Sequence, residues 1–186
     1  MVDARLQEAA LPDSIDAGPC RLRGLVLGDA ESLALLANDP TIARWVRDRF
    51  PSPYALSDAR RFLVAVQAGT MGHVYAIEAD GVLAGTVGLT PREDVERLTV
   101  EIGFWLGEPF RGRGLATAAV EALTALAFER LALARVEAHV FSGNHASARV
   151  LEKAGFEREG VRRAAIVKGG IVHDSLLYAR ISPRYR

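Results

Sequence analysis

Cysteine occurs once in these 186 residues, at Cys20, so no disulfide can close within the chain. That points to a reducing, cytoplasmic setting. Lysine is nearly as scarce: Lys153 and Lys168 are the only two, and arginine supplies the rest of the positive charge. Neither sign of charge is in excess, with 23 basic against 23 acidic residues. A general nucleic-acid binder would carry a basic surplus, so no nucleic-acid partner is expected, although a local basic patch stays open. No apolar run approaches the roughly 20 residues that cross a bilayer, and no membrane partner is expected. The first twenty residues carry scattered acids and no apolar core segment, so they do not read as a signal peptide. The four histidines, His73, His139, His145 and His173, lack the close paired spacing of a zinc set, and no metal is expected. Internal repeats, linkers and low-complexity tracts are absent as well.

What remains is an ordinary globular composition, 49% apolar and 25% charged. The length fits one domain, residues 1–186, with 1–19 reading as an N-terminal extension that is mobile at its start. Strand patterns cover 20–27, 73–78, 83–89, 98–106, 135–141, 161–167 and 171–181. Helical patterns cover 29–38, 40–48, 57–68, 113–130 and 144–154. Pro40 suits a first helical position, Ser57 an N-cap, and Gly155 a left-handed stop after a helix. Ala79-Asp80-Gly81 reads as a hairpin turn. In 98–106 the apolar residues Leu98, Val100, Ile102, Phe104 and Leu106 alternate with Thr99, Glu101, Gly103 and Trp105. The order of elements indicates an α/β domain with a mixed sheet.

The most informative stretch is EIGFWLGEPFRGRGLATAAVEAL, Glu101 to Leu123. A strand leads through a turn with two glycines and two arginines into a long helix. Free backbone N–H groups and the positive end of the helix dipole then converge on one spot, which suits a phosphate or pyrophosphate. Three readings compete. Glycines can simply turn a corner. A dinucleotide-binding turn fits poorly, because Thr117 stands where the third glycine belongs and a hairpin precedes the turn. A Walker loop is excluded by the lack of Gly-Lys-Ser/Thr. The third reading is an acyl-CoA site.

Arg111-x-x-Gly114-x-Ala116 resembles the phosphate-binding pattern of the GNAT superfamily of N-acetyltransferases. NHASARVLEKAGF downstream, and DGVLAGTVGL and EIGFWL upstream, are similar to further segments of that superfamily. Together they cover about Ala76 to Tyr178. RLRGL, IGFWL and NHASARVLEKAGF resemble the branch of ribosomal-protein N-terminal alanine acetyltransferases. The resemblance implies a GNAT fold: a twisted, mostly antiparallel mixed sheet of about seven strands, flanked by helices, with a splayed central parallel pair formed by 101–106 and 135–141. It implies acetyl-CoA as co-substrate, lying in that cleft. Trp105 and Leu106 would lie beside the thioester, with an oxyanion site at the backbone near Leu106. The amides from Arg111 through Gly112, Arg113, Gly114, Leu115 and Ala116, with Thr117, would hold the pyrophosphate. Asn144 caps a helix and, by resemblance, flanks the pantetheine arm. Many relatives place a tyrosine late in that helix to protonate the departing thiolate. Arg149 to Lys153 contains none, so Ser147 is the expected acid.

Direct transfer requires a neutral amine. An α-amino group with pKa about 8 costs about 1.4 kcal/mol to deprotonate at pH 7, whereas a lysine amine costs about 4.6 kcal/mol. Glu101 is the expected base, acting through water. Trp45, Tyr54 and Trp105 are candidates for shaping the acceptor pocket, and Asp174 for holding a cationic amine. The expected acceptor is a protein N-terminus. A small-molecule amine (aminoglycoside, polyamine or amino-sugar nucleotide) and a non-catalytic acyl-CoA-binding module are the alternatives. Either a monomer or a homodimer fits.

Overall fold

A computed structural model of the protein describes residues 11–185. Its centre is one eight-stranded sheet in the order β1-β2-β3-β4-β5-β6-β8-β7, antiparallel at every pairing except β5 with β6. The strands are β1 Ser14–Asp16, β2 Arg21–Gly24, β3 His73–Ala79, β4 Val82–Pro91, β5 Thr99–Leu106, β6 Arg135–Phe141, β7 Glu157–Lys168 and β8 Ile171–Ile181. The helices are α1 Ala30–Ala37, α2 Pro40–Ala43, α3 Leu56–Gln67, α4 Leu115–Arg130 and α5 His145–Lys153. This is the mixed α/β sheet expected, with one strand more than about seven. The additional strand, β1, falls in the segment read as an extension: Ser14–Asp16 pairs with Arg21–Arg23, and Leu11 and Cys20 enter the core. The mobility expected at the start of the chain lies outside the described residues. Among the described residues no helix is long and apolar enough to cross a membrane.

The two faces of the sheet are closed differently. On one face α4 and α5 pack Leu115, Val120, Leu123 and Leu151 against Val87, Val136 and Tyr178. On the other, α1 and α3 cover mainly the β2–β4 half, through Leu33, Tyr54, Ala59 and Leu63. Each fully buried leucine contributes about 2 kcal/mol by leaving water, so both clusters hold their helices firmly. Beyond β4, that second face carries no helix among the described residues.

Local chemistry explains the boundaries. Asp80 and Gly81 both take positive φ, at 54° and 77°, the conformation a two-residue hairpin demands. The helix expected over 40–48 stops at Ala43. Asp39 accepts from the Thr41 N–H at 2.7 Å and caps that single turn, after which the chain runs irregularly through Trp45. Helix α3 begins at Leu56 rather than after Ser57, because the Asp58 carboxylate reaches back to the Ala55 N–H at 2.8 Å and takes over the capping. Strand β7 is longer than its pattern predicts and is bulged between Arg162 and Ile166. Ala164 sits there at φ 51°, and its N–H donates to the Asp174 carboxylate at 2.8 Å.

The parallel pair decides the function. Strands β5 and β6 match only at Thr99↔Arg135, Val100↔Val136 and Glu101↔Glu137. Past that point β5 stays with β4 as far as Gly85↔Leu106, and β6 stays with β8 as far as Phe141↔Ser175. A wedge opens in the middle of the sheet.

Candidate active site

The phosphate-type turn lies at the wide end of the wedge. After β5 a short 3-10 turn, Glu108–Phe110, leads into Arg111–Gly114 and then α4. Gly112 and Gly114 adopt φ of 76° and 77°, a region that side-chain-bearing residues enter at a cost. The Gly114 carbonyl accepts from the Ala118 N–H at 3.0 Å, so the N–H groups of Leu115, Ala116 and Thr117 precede the first intrahelical bond and have no helical acceptor. Beside them runs a groove of about 470 Å³. Leu106, Arg111, Gly112, Gly114, Ala116 and Thr117 line one wall, and Asn144 and Ser147 belong to the facing wall. Leu115 lines it too, although most of its side chain is core.

The two arginines of the turn part company. The Arg111 guanidinium donates to Leu106 O at 3.2 Å, Thr41 Oγ1 at 2.9 Å and Asp39 at 2.7 Å, tying the turn to α2. Burial pushes the Asp39 carboxyl up, but the bonds from Thr41 and Arg111 outweigh it and hold the carboxyl below the usual range. The Arg113 side chain does not line the groove; it pairs at 2.7 Å with Asp80 in the β3–β4 turn, with left-handed residues on both sides of it, so only its amide is left for the role expected of it.

A second, larger cavity of about 900 Å³ occupies the sheet face that the helices leave open. It meets the groove at Trp45, Val46, Phe104, Trp105, Asn144 and Ser147, which line both. Asn144 caps α5 by accepting from the Ser147 N–H at 3.1 Å, which fixes Ser147 at the junction. Trp45 packs edge-on against Phe141 with ring centres 6.0 Å apart. It lies so close to Gly143 that a Cβ there would come within 2.9 Å of its ring. Tyr54 lines the cavity and is 7% exposed, with its ring 4.8 Å from that of Phe50. Burial raises its phenol to about 12, so it stays a neutral hydroxyl near pH 7. Asp174 departs from expectation: its carboxylate is spent on the β7 bulge, and it lines neither cavity.

Glu101 stands where the wedge closes, at the last matched pair of β5 and β6. Both of its oxygens are engaged, Oε1 by Arg47 at 2.5 Å and Oε2 by Arg92 at 3.2 Å. Arg92 continues to Glu137 at 3.0 Å, and Glu137 to Arg135 at 2.8 Å. Burial pushes the Glu137 carboxyl up, but bonds from Arg135 and Arg92 prevail and hold it below the usual carboxylate range. His139 lies beside this ladder, its Nε2 3.4 Å from Arg92. Among the described residues, Arg92 Nε, His139 Nδ1 and Ser175 Oγ are buried without a hydrogen-bond partner, and all three residues line the larger cavity. Sequence reasoning did not bring Arg47, Arg92 or Ser175 to the site. They come from a loop, from the residue after β4 and from the middle of β8, far apart in the chain, and none sits in a recognisable motif.

A mixed sheet split at one parallel pair, with an amide-lined glycine turn at the mouth of the split, is the arrangement that the resemblance to acyl-CoA-dependent transferases implies. The family comparison agrees: the acetyltransferase (GNAT) domain matches residues 20–157. The chain belongs to the GNAT acetyltransferases, enzymes for which acetyl-CoA is the co-substrate. It is 32% identical over 157 residues to YdaF of Bacillus subtilis (strain 168), named as a candidate ribosomal N-acetyltransferase; the match covers 81% of this chain and 85% of YdaF. Among solved structures, RimJ of Mycobacterium smegmatis in complex with CoA-disulfide superposes with a TM-score of 0.80 at 25% identity, covering 93% of this chain and 89% of that one. RimL, a ribosomal L7/L12 alpha-N-protein acetyltransferase in complex with coenzyme A, shares the fold with a TM-score of 0.81 at 24% identity, over 90% and 97% of the two chains.

Proposed function

We propose that this N-acetyltransferase acts as a single domain on a protein N-terminal α-amino group. The observation that carries the reading is the meeting of the two cavities at Ser147 and Trp105. Acetyl-CoA would thread the groove with its pyrophosphate on the open amides of Leu115, Ala116 and Thr117. The acceptor would fill the larger cavity, and the two reacting groups would meet at the junction.

The amine nitrogen attacks the thioester carbonyl, a new C–N bond forms and the C–S bond breaks. Backbone amides near Leu106 hold the developing oxyanion. The surplus proton of the nitrogen leaves through water toward Glu101, and the Ser147 hydroxyl protonates the departing thiolate. A thiol is already acidic, with pKa about 8.5, so Ser147 has modest work to do. The acceptor's own basicity bears on the choice. A lysine amine costs about 4.6 kcal/mol to deprotonate at pH 7 and an α-amine about 1.4 kcal/mol, so the α-amine needs far less from a base. The names of YdaF, RimJ and RimL support the same acceptor class.

The test is release of free CoA thiol from acetyl-CoA with matched peptides. One set carries a free N-terminus and no lysine, the other a blocked N-terminus and a lysine. Turnover confined to the first set is expected. Turnover on the blocked set, or only on small amines, would remove the N-terminal reading. Binding of acetyl-CoA with no turnover on any amine would leave only a cofactor-binding module.

A further inference from the structure

The larger cavity has a surplus of hydrogen-bond donors. Each acidic side chain in its lining is already engaged: Glu101 by Arg47 and Arg92, Asp58 by Arg61, and Asp48 by Lys168. The opposite holds for the donors. Arg162 and Arg49 line the cavity with no acidic partner among the described residues. Arg92 Nε carries an N–H that is buried and has no acceptor. The Ser175 hydroxyl is buried in a residue only 2% exposed, and it too has no partner.

An exposed arginine alone would be an ordinary surface charge. Arg162 is more than that because of the register. It pairs directly with Ser175 across β7 and β8, and Ser175 pairs with Phe141 on β6. Opposed residues project to the same face, and both Ser175 and Arg162 line the cavity. The bond from the Ala164 N–H to Asp174 lies in the bulge that follows Arg162. Buried donors without acceptors cost free energy unless something supplies acceptors. A carboxylate does so best, because it takes bonds from a hydroxyl and a guanidinium together.

We infer that the acceptor amine carries a carboxylate a few bonds from the reacting nitrogen, bound by Arg162 and Ser175; for the N-terminal substrate proposed above, this is an acidic residue at the second or third position. This specificity rests on that reading of the acceptor. Polyamines and aminoglycosides, which bring only further cations, are disfavoured by the same count.

The test compares peptides identical except for Asp, Asn or Lys at positions two and three, with kcat/KM measured by thiol release. The Asp peptide is expected to exceed the Asn peptide by at least about tenfold, with the Lys peptide lowest, and the ratio is expected to shrink in high salt as charge pairing is screened. Arg162→Gln, on an exposed strand where folding tolerates it, should bring the Asp-to-Asn ratio close to one. Ser175→Ala should lower it in part. Equal kcat/KM for Asp and Asn peptides, or an unchanged ratio in Arg162→Gln, overturns the inference. β-Alanine and β-alaninamide are run alongside. Discrimination seen only in that small pair keeps the carboxylate and removes the protein N-terminus; turnover of neither pair removes both.

Discussion

The two cavities that meet at Ser147 are built differently. The groove has one wall of main chain, with glycines at positive φ and amides without helical acceptors from the single stretch 106–117, and side chains such as Ile42, Trp45 and Val150 close the rest of it. The larger cavity is made of side chains whose lining residues range from Leu33 to Ser175. In the proposed reading, backbone grips what every acyl-CoA shares, a diphosphate, and side chains choose what differs between enzymes, the acceptor. A turn of fixed conformation tolerates little change, whereas a wall of side chains can be altered one residue at a time without unfolding the sheet.

The largest effect that would break this contrast lies in the groove. Gly114→Asp is expected to abolish acetyl-CoA binding in calorimetry, since it sets a carboxylate where the diphosphate belongs at φ 77°. Gly114→Asn is the control, because asparagine tolerates positive φ and carries no charge; it should retain measurable affinity. Equal affinity in all three proteins would mean that the turn holds no phosphate. At the junction, Ser147→Ala should lower kcat about tenfold and leave acetyl-CoA affinity within twofold, the split expected of a proton donor rather than a binding group.

A subtler effect lies in the charge ladder beneath the acceptor cavity. Glu137 is 8% exposed and bridges Arg92 and Arg135. Glu137→Gln should cost about 2 kcal/mol of stability at pH 7, the scale of a hydrogen bond to a charged group. The carboxyl titrates below its unfolded value. Its stabilisation is therefore fully present above the unfolded pKa of about 4.3 and is lost as the pH falls through the folded value. Melting temperatures of the two proteins should converge on acidification; a gap that widens instead would reverse the assigned sign. The smallest effect belongs to Arg113, whose side chain is turned toward Asp80. Arg113→Ala should change acetyl-CoA affinity less than twofold.

The same contrast explains what could be read before any coordinates. The turn was legible because it is written locally, in the alternation along 98–106, two glycines and the helix pattern that follows; the wedge came only with the resemblance to the GNAT superfamily, because strand splay has no local signal. The capping role of Asn144 was legible for the same reason as the turn, and the structure keeps it. Side-chain partners were not legible. Asp174 looked free for an amine, and a bulge ten residues earlier uses it instead. Arg113 looked like its neighbour Arg111, and the backbone sends the two in different directions. Glu101 was placed correctly on its strand face, but the two arginines that hold it lie 54 residues before it and nine residues before it, on segments with no pattern of their own. The helix anticipated over 40–48 failed on a tertiary demand, because Trp45 is drawn against Phe141 and Gly143 instead of continuing a periodic face.

The short match between β5 and β6 has one more consequence. A sheet normally hides its bare edges at the outside, where charge or a covering segment keeps strangers away. Here a bare edge is kept at the very middle, fenced in by helices and by Trp45. Only a slender, extended molecule can slide in alongside and complete the ladder. Under the proposed function, selection by shape precedes any chemistry: the seam suits something that imitates a strand, as the long arm of the acyl carrier would.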